Sequence, residues 1–122
     1  MSVITPDQTV KEIMKDLPSL VAVAVVETET GMPLAAHSNS ADFDVETAAA
    51  YNTEVIKQKL KAISALKLNQ TVQDILLTLT DQLHLLKLSP NAQKFIYLAV
   101  NSRDTNLAVA RQVLKKYTDV LS

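Results

Sequence analysis

"LVAVAVVETETGMPLAAHS", residues 20–38, is the stretch whose reading decides the fold. Leu20 to Glu29 is almost continuously apolar and rich in β-branched valine, the pattern of a strand buried on both faces. Glu29, Thr30 and Gly31 then close a tight turn. Gly31 is the only glycine in the chain, and a hairpin turn is where a residue free to take φ > 0 is worth most. Met32 to Ser38 reads as the returning strand. Pro33 has no N–H to give a ladder, so it belongs at that strand's first position or on an unpaired edge.

Working outward, the segment before the hairpin reads as a helix. Thr5 is its N-cap, Pro6 its first residue, and Gln8 completes a capping box. Val10, Ile13, Met14 and Leu17 follow at helical spacing, and Pro18 stops the helix at or before Leu17. After the hairpin, Asp42 or Asp44 caps the longest helix, Val45 to Leu66, whose less polar stripe is Val45, Ala48, Ala49, Asn52, Val55, Ile56, Leu60, Ile63 and Leu66. Lys57, Lys59 and Lys61 turn away from it. Three strands follow: Thr71 to Thr80, Leu83 to Ser89 and Lys94 to Ser102, with turns at Asp81–Gln82 and at Pro90–Gln93. Asp104 or Thr105 caps a last helix with Leu107, Ala110, Val113, Leu114, Tyr117 and Leu121 on one face. Short connections make the three strands an antiparallel meander. The expected class is α+β, a five-stranded antiparallel sheet in the order α-β-β-α-β-β-β-α.

Composition narrows the function. The 122 residues fit one domain, 1–122, able to bury a sizeable core. A formal charge of −1, from 12 basic and 13 acidic residues, argues against a general nucleic-acid binder. With no cysteine there is no disulfide and no thiolate ligand or nucleophile. The N-terminus resembles neither a signal nor a transit peptide, and the apolar run Leu20–Val26 is too short to span a bilayer, so a cytoplasmic location is expected.

Little in the sequence supports catalysis or ligand chemistry. A single glycine leaves no phosphate-cradling loop or dinucleotide fingerprint. His37 and His84 fall on different expected strands with no ligand spacing, so no metal is expected. Glu27 and Glu29 share a face at a strand end and read as solvated charge, not a catalytic pair. Ser38 beside His37 lacks the buried acid a triad needs. Phe95 and Tyr97 alternate as sheet residues without the glycine or basic surround of an RNA-stacking strand. A small-molecule sensor is disfavoured because five aromatics and no tryptophan line a pocket poorly. No cofactor and no enzymatic activity are expected. Two features point to association. "ETAAAYN", Glu46 to Asn52, lets another backbone approach closely, and "DILLTLT", Asp74 to Thr80, carries little charge to protect a sheet edge.

The order of these motifs resembles the roadblock domain, a family that includes dynein light chains and regulators of bacterial polarity GTPases. Its members read "vvd-dG-plas" where this chain has Gly31, Met32, Pro33, Leu34 and Ala35, and "d-Nlgl-r" where it has Asp104, Asn106, Leu107 and Arg111. The match runs over about residues 7–121. It departs at Ser19-Leu20-Val21 and Ala108, where the family commonly has glycine. The resemblance implies a profilin-like roadblock sandwich and a non-enzymatic regulator or scaffold. It implies a homodimer that binds a Ras-like small GTPase and modulates its nucleotide state; a light-chain-like adaptor without a GTPase is the alternative. It implies no arginine finger, since the family's polarity regulators act by remodelling the GTPase. Such dimers form through the long helix and third strand, which places Ala48, Ala49, Asn52, Val55, Ile56, Lys59, Asp74, Leu76 and Thr78 at the interface. On that reading Ala49→Arg blocks dimerisation. Gly31, Pro33, Asp104 and Asn106 are implied as turn and cap residues.

Overall fold

The computed structural model describes residues 3–121. The helix α1 spans Pro6–Asp16, and the expected capping box is present: Thr5 Oγ1 accepts from the Gln8 N–H at 3.2 Å, and the Thr5 N–H donates to Gln8 Oε1 at 3.1 Å. Strands β1 (Leu20–Glu27) and β2 (Pro33–Ser38) form the hairpin. Gly31 sits at φ +76° and donates its N–H to the Glu27 carbonyl at 2.8 Å. A Cβ there would also meet Thr53 Oγ1 at 3.2 Å, so the glycine serves both the turn and the close approach of the next helix. Pro33 takes the first position of β2, an edge strand, where its missing N–H costs no ladder bond.

The helix α2 spans Val45–Ala65 with Asp44 as N-cap, its carboxylate accepting from the N–H groups of Glu46 and Thr47. Strands β3 (Ile75–Thr78), β4 (Gln82–Leu88) and β5 (Lys94–Asn101) and helix α3 (Leu107–Thr118) complete the chain. The sheet order is β2-β1-β5-β4-β3, antiparallel throughout. The α+β class, the five strands and the element order are those expected.

Three local expectations change. The third strand is four residues, not ten, because its leading segment turns to other elements: the Gln73 carbonyl accepts from Lys87 Nζ at 2.6 Å, and Asp74 pairs with Arg111. The turn after it lies at Leu79–Asp81, with the Leu79 N–H donating to the Gln82 carbonyl, so Gln82 already belongs to β4. The cap of α3 is Asn106, one of the cap residues the resemblance implies, and neither Asp104 nor Thr105. Asn106 Oδ1 accepts from Ala108 and Val109, while the Thr105 hydroxyl is engaged with Ser19.

The sheet separates two cores. On one face Val23, Val25, Leu83, Leu85, Ile96, Leu98 and Val100 pack under α1 and α3. On the other, Ala22, Ala24, Val26, Leu86, Phe95, Tyr97 and Ala99 pack with Ala49 and Ile56 of α2. The central strands β1 and β5 are therefore apolar in both directions, which explains the unbroken run that opens the hairpin.

Candidate interaction surface

The α2 side of the sheet is covered unevenly. The helix lies over β1 and β2, at one end of the sheet order, while β3 forms the opposite edge. Ala49, Thr53 and Ile56 are its inward residues, and Thr53 satisfies its hydroxyl on the Ala49 carbonyl at 2.7 Å. Leu60 and Ile63 continue toward β4 and, with Val72 and Leu88, border a cavity of about 440 Å³. Tyr51, Val55, Lys59, Ala62 and Leu66 recur at helical spacing as a second line, and all are exposed.

Large apolar side chains concentrate here. Among the described residues, seven of the eleven exposed large hydrophobics belong to α2, its C-terminal extension, β3 or the residue after it: Tyr51, Val55, Leu60, Leu66, Leu68, Leu77 and Leu79. Tyr51 is 73% exposed, Leu66 68% and Leu77 51%. Scattered exposed leucines need no explanation, but their concentration on one helix and beside an unpaired strand edge does.

An aromatic group sits within this face. His84 of β4 lies opposite Leu77 of β3 and meets Phe43 and Tyr97 edge-on, with ring centroids 6.0 and 5.5 Å away. His84 Nε2 is 2.8 Å from Gln82 Oε1, an atom that only accepts. Nε2 therefore donates, and Nδ1 accepts the Tyr97 hydroxyl at 3.1 Å. Burial lowers the His84 pKa and pushes that of Tyr97 well above its ordinary value. Both groups are neutral near pH 7, a state suited to a surface that becomes covered.

The nine interface residues expected from the sequence divide sharply. Val55 and Lys59 are exposed on the outer line of α2, and Ala48 and Asn52 are half-buried. Ala49 and Ile56, at 0% and 2% exposure, pack inside their own protomer. Arginine at Ala49 would have to open that core, so the substitution tests folding and not association. On β3 the even positions face the other layer. Leu76 packs in the α1–α3 core, Thr78 lies on that same side, and Asp74 forms a two-pronged ion pair with Arg111 at 2.9 and 3.1 Å. The odd positions, Ile75 and Leu77, share the face of α2. The sequence reading missed Tyr51, Leu77 and Leu79. The one-residue alternation of β3 was the signal that would have found the last two.

Among the described residues no three His, Asp or Glu side chains converge, and no helix is long and apolar enough to cross a membrane. His37, on β2, is bonded to Asn39 Oδ1 at 2.6 Å, and two strands, β1 and β5, separate it from His84 on β4.

No protein-family model matches this sequence, and no curated relative does. Solved structures do resemble it. Myxococcus xanthus MglB is similar with a TM-score of 0.80 over 93% of this chain and 88% of its own, at 13% identity. A roadblock/LC7 domain from Streptomyces avermitilis gives 0.79 over 96% and 92%, also at 13% identity. MglB in a tetrameric arrangement gives 0.79 over 93% and 82%, at 11% identity. At such identities the fold is what is shared, and this chain has the roadblock fold.

Proposed function

We propose, with the roadblock fold as the premise, that this chain is a non-enzymatic regulator or scaffold that pairs with a second copy of itself and binds a Ras-like small GTPase. The observation that carries the reading is the exposed apolar group on α2 and beside β3, next to an unpaired strand edge. Two copies related by a twofold axis bring β3 edge to edge and set the outer lines of α2 against each other. Leu77 and Leu79 then lose water along with Tyr51, Val55 and Leu66. That one solved MglB structure is of a tetrameric arrangement supports self-association as a habit of this fold. The interface residues proposed are Tyr51, Val55, Leu66, Leu77 and Leu79, with Lys59 at the rim.

The GTPase partner follows from the roadblock resemblance in Gly31–Ala35 and Asp104–Arg111. A protein without catalytic groups acts on a nucleotide switch by binding one of its states more tightly, and shifts the equilibrium only by that difference. Affinity capture from the native lysate, with GDP and with a non-hydrolysable GTP analogue in parallel, tests this. Preferential recovery of a small GTPase in one lane is the expected result. A catch without any GTPase in either lane overturns the regulator reading and leaves the adaptor.

A further inference from the structure

Leu86 of β4 packs on the α2 side of the sheet, and strand alternation puts His84, two residues earlier, on that side too. His37 takes the other side, with Ala35 of β2. Because α2 packs over β1 and β2, the His84 ring is only half-buried. Opposite it on the edge strand β3 stands Leu77, which is exposed. His84 therefore borders the open, apolar half of this face.

The contacts of the ring suit a neutral imidazole. Nε2 donates to Gln82 Oε1 and Nδ1 accepts from the Tyr97 hydroxyl, while Phe43 and Tyr97 meet the ring edge-on. On this face β3 brings Ile75 and Leu77, and β5 brings Tyr97 and Ala99, none of them charged near pH 7. The carboxylates nearest along the chain are Asp42 and Asp44, on either side of Phe43, and Asp81, beside Gln82. Asp44 is committed to the Thr47 hydroxyl at 2.6 Å and to the N–H groups that open α2. The outer line of α2 carries Lys59, with Glu54 next to Val55. A proton on Nδ1 ends its role as acceptor and takes from the Tyr97 hydroxyl its partner. It also sets a full charge beside Leu77, Phe43 and Tyr97. A single chain leaves that charge partly in water; a chain paired through this face does not.

We propose that His84 is a proton switch on self-association: the neutral ring permits two copies to pair through the α2–β3 face, and its protonation drives them apart. The switch rests on the pairing reading given above. Burial already holds the His84 pKa below 6.5 in the single chain, and cover by a second copy lowers it further. The proton thus binds the single chain more tightly than the pair. Pairing is at full strength above the single-chain pKa and weakens as the pH falls through it. With two rings per pair, the dissociation constant climbs by at most roughly a hundredfold per pH unit.

Sedimentation equilibrium of the full chain between about pH 7.5 and 5.0, with a circular dichroism spectrum at each pH to confirm the fold, tests the switch beside His84→Gln and His37→Gln. The parent should be a dimer whose dissociation constant rises at least about tenfold over that range, and His37→Gln should behave alike. His84→Gln should change by less than about twofold. A parent dimer equally tight throughout, or a His84→Gln chain that follows the parent, overturns the switch and leaves the pairing standing. A parent that is monomeric at the upper pH overturns the pairing itself, and the switch with it. A second measurement needs no variant: dilution of the parent dimer in a calorimeter near pH 6, in two buffers of unlike ionisation enthalpy, should show proton uptake on dissociation. Dissociation without uptake overturns the switch.

Discussion

Gly31 is held by two independent constraints, a φ of +76° and a Cβ position 3.2 Å from Thr53 Oγ1. Alanine would carry the left-handed backbone cost and push against α2, so Gly31→Ala should destabilise the fold by about 1–3 kcal/mol in urea unfolding. Thr28 runs the other way. Its buried hydroxyl oxygen has no hydrogen-bond partner, and Thr28→Val should raise stability by about 1 kcal/mol. A loss of stability in that variant would mean the hydroxyl has a partner within the chain. His84 sets a pH dependence. Burial holds its folded pKa below the ordinary 6.5, so the unfolded chain takes up a proton first as the pH falls through that value. The contribution of His84 to stability is therefore absent at neutral pH and turns unfavourable from there down to the lowered folded pKa. Thermal melts of the parent and His84→Gln between about pH 7.5 and 5.5 should show a shallower decline in the variant.

At the scale of elements, β3 and α2 show which signals a sequence carries. The hairpin was legible because a lone glycine, a following proline and a continuous apolar run each speak of local backbone geometry. The cap at Thr5 was legible for the same reason, and that of α2 down to the choice between Asp42 and Asp44, since cap partners lie within a few residues. The length of β3 was not. Residues 71–74 are apolar and polar in a strand-like pattern, but Lys87 and Arg111 draw Gln73 and Asp74 away from the ladder, and both contacts are distant in sequence. The α2 stripe failed differently. Inward Ala49 and Ile56 and outward Val55 and Leu66 form one broad apolar band in the sequence, and only the placement of the sheet divides it. The Asp74–Arg111 ion pair fastens the start of β3 to α3, but Arg111 is 44% exposed, so Arg111→Ala should cost no more than about 1 kcal/mol in thermal or urea melts.

At the scale of the whole molecule, one half of the α2 side is an ordinary core and the other is an apolar face beside a free edge. A chain that kept this face in water would invite indiscriminate edge-to-edge pairing; a closed twofold dimer removes that hazard. Dimerisation is thus the claim on which the proposed reading of this face depends. The most direct measurement is the solution mass by sedimentation equilibrium of the parent chain and of Val55→Arg/Leu77→Arg. Both substituted side chains are exposed, so the variant keeps its fold. The parent should sediment at twice the 13.4 kDa of the chain, and the variant at 13.4 kDa with an unchanged circular dichroism spectrum. A monomeric parent, or a dimer that survives both arginines, would contradict the account.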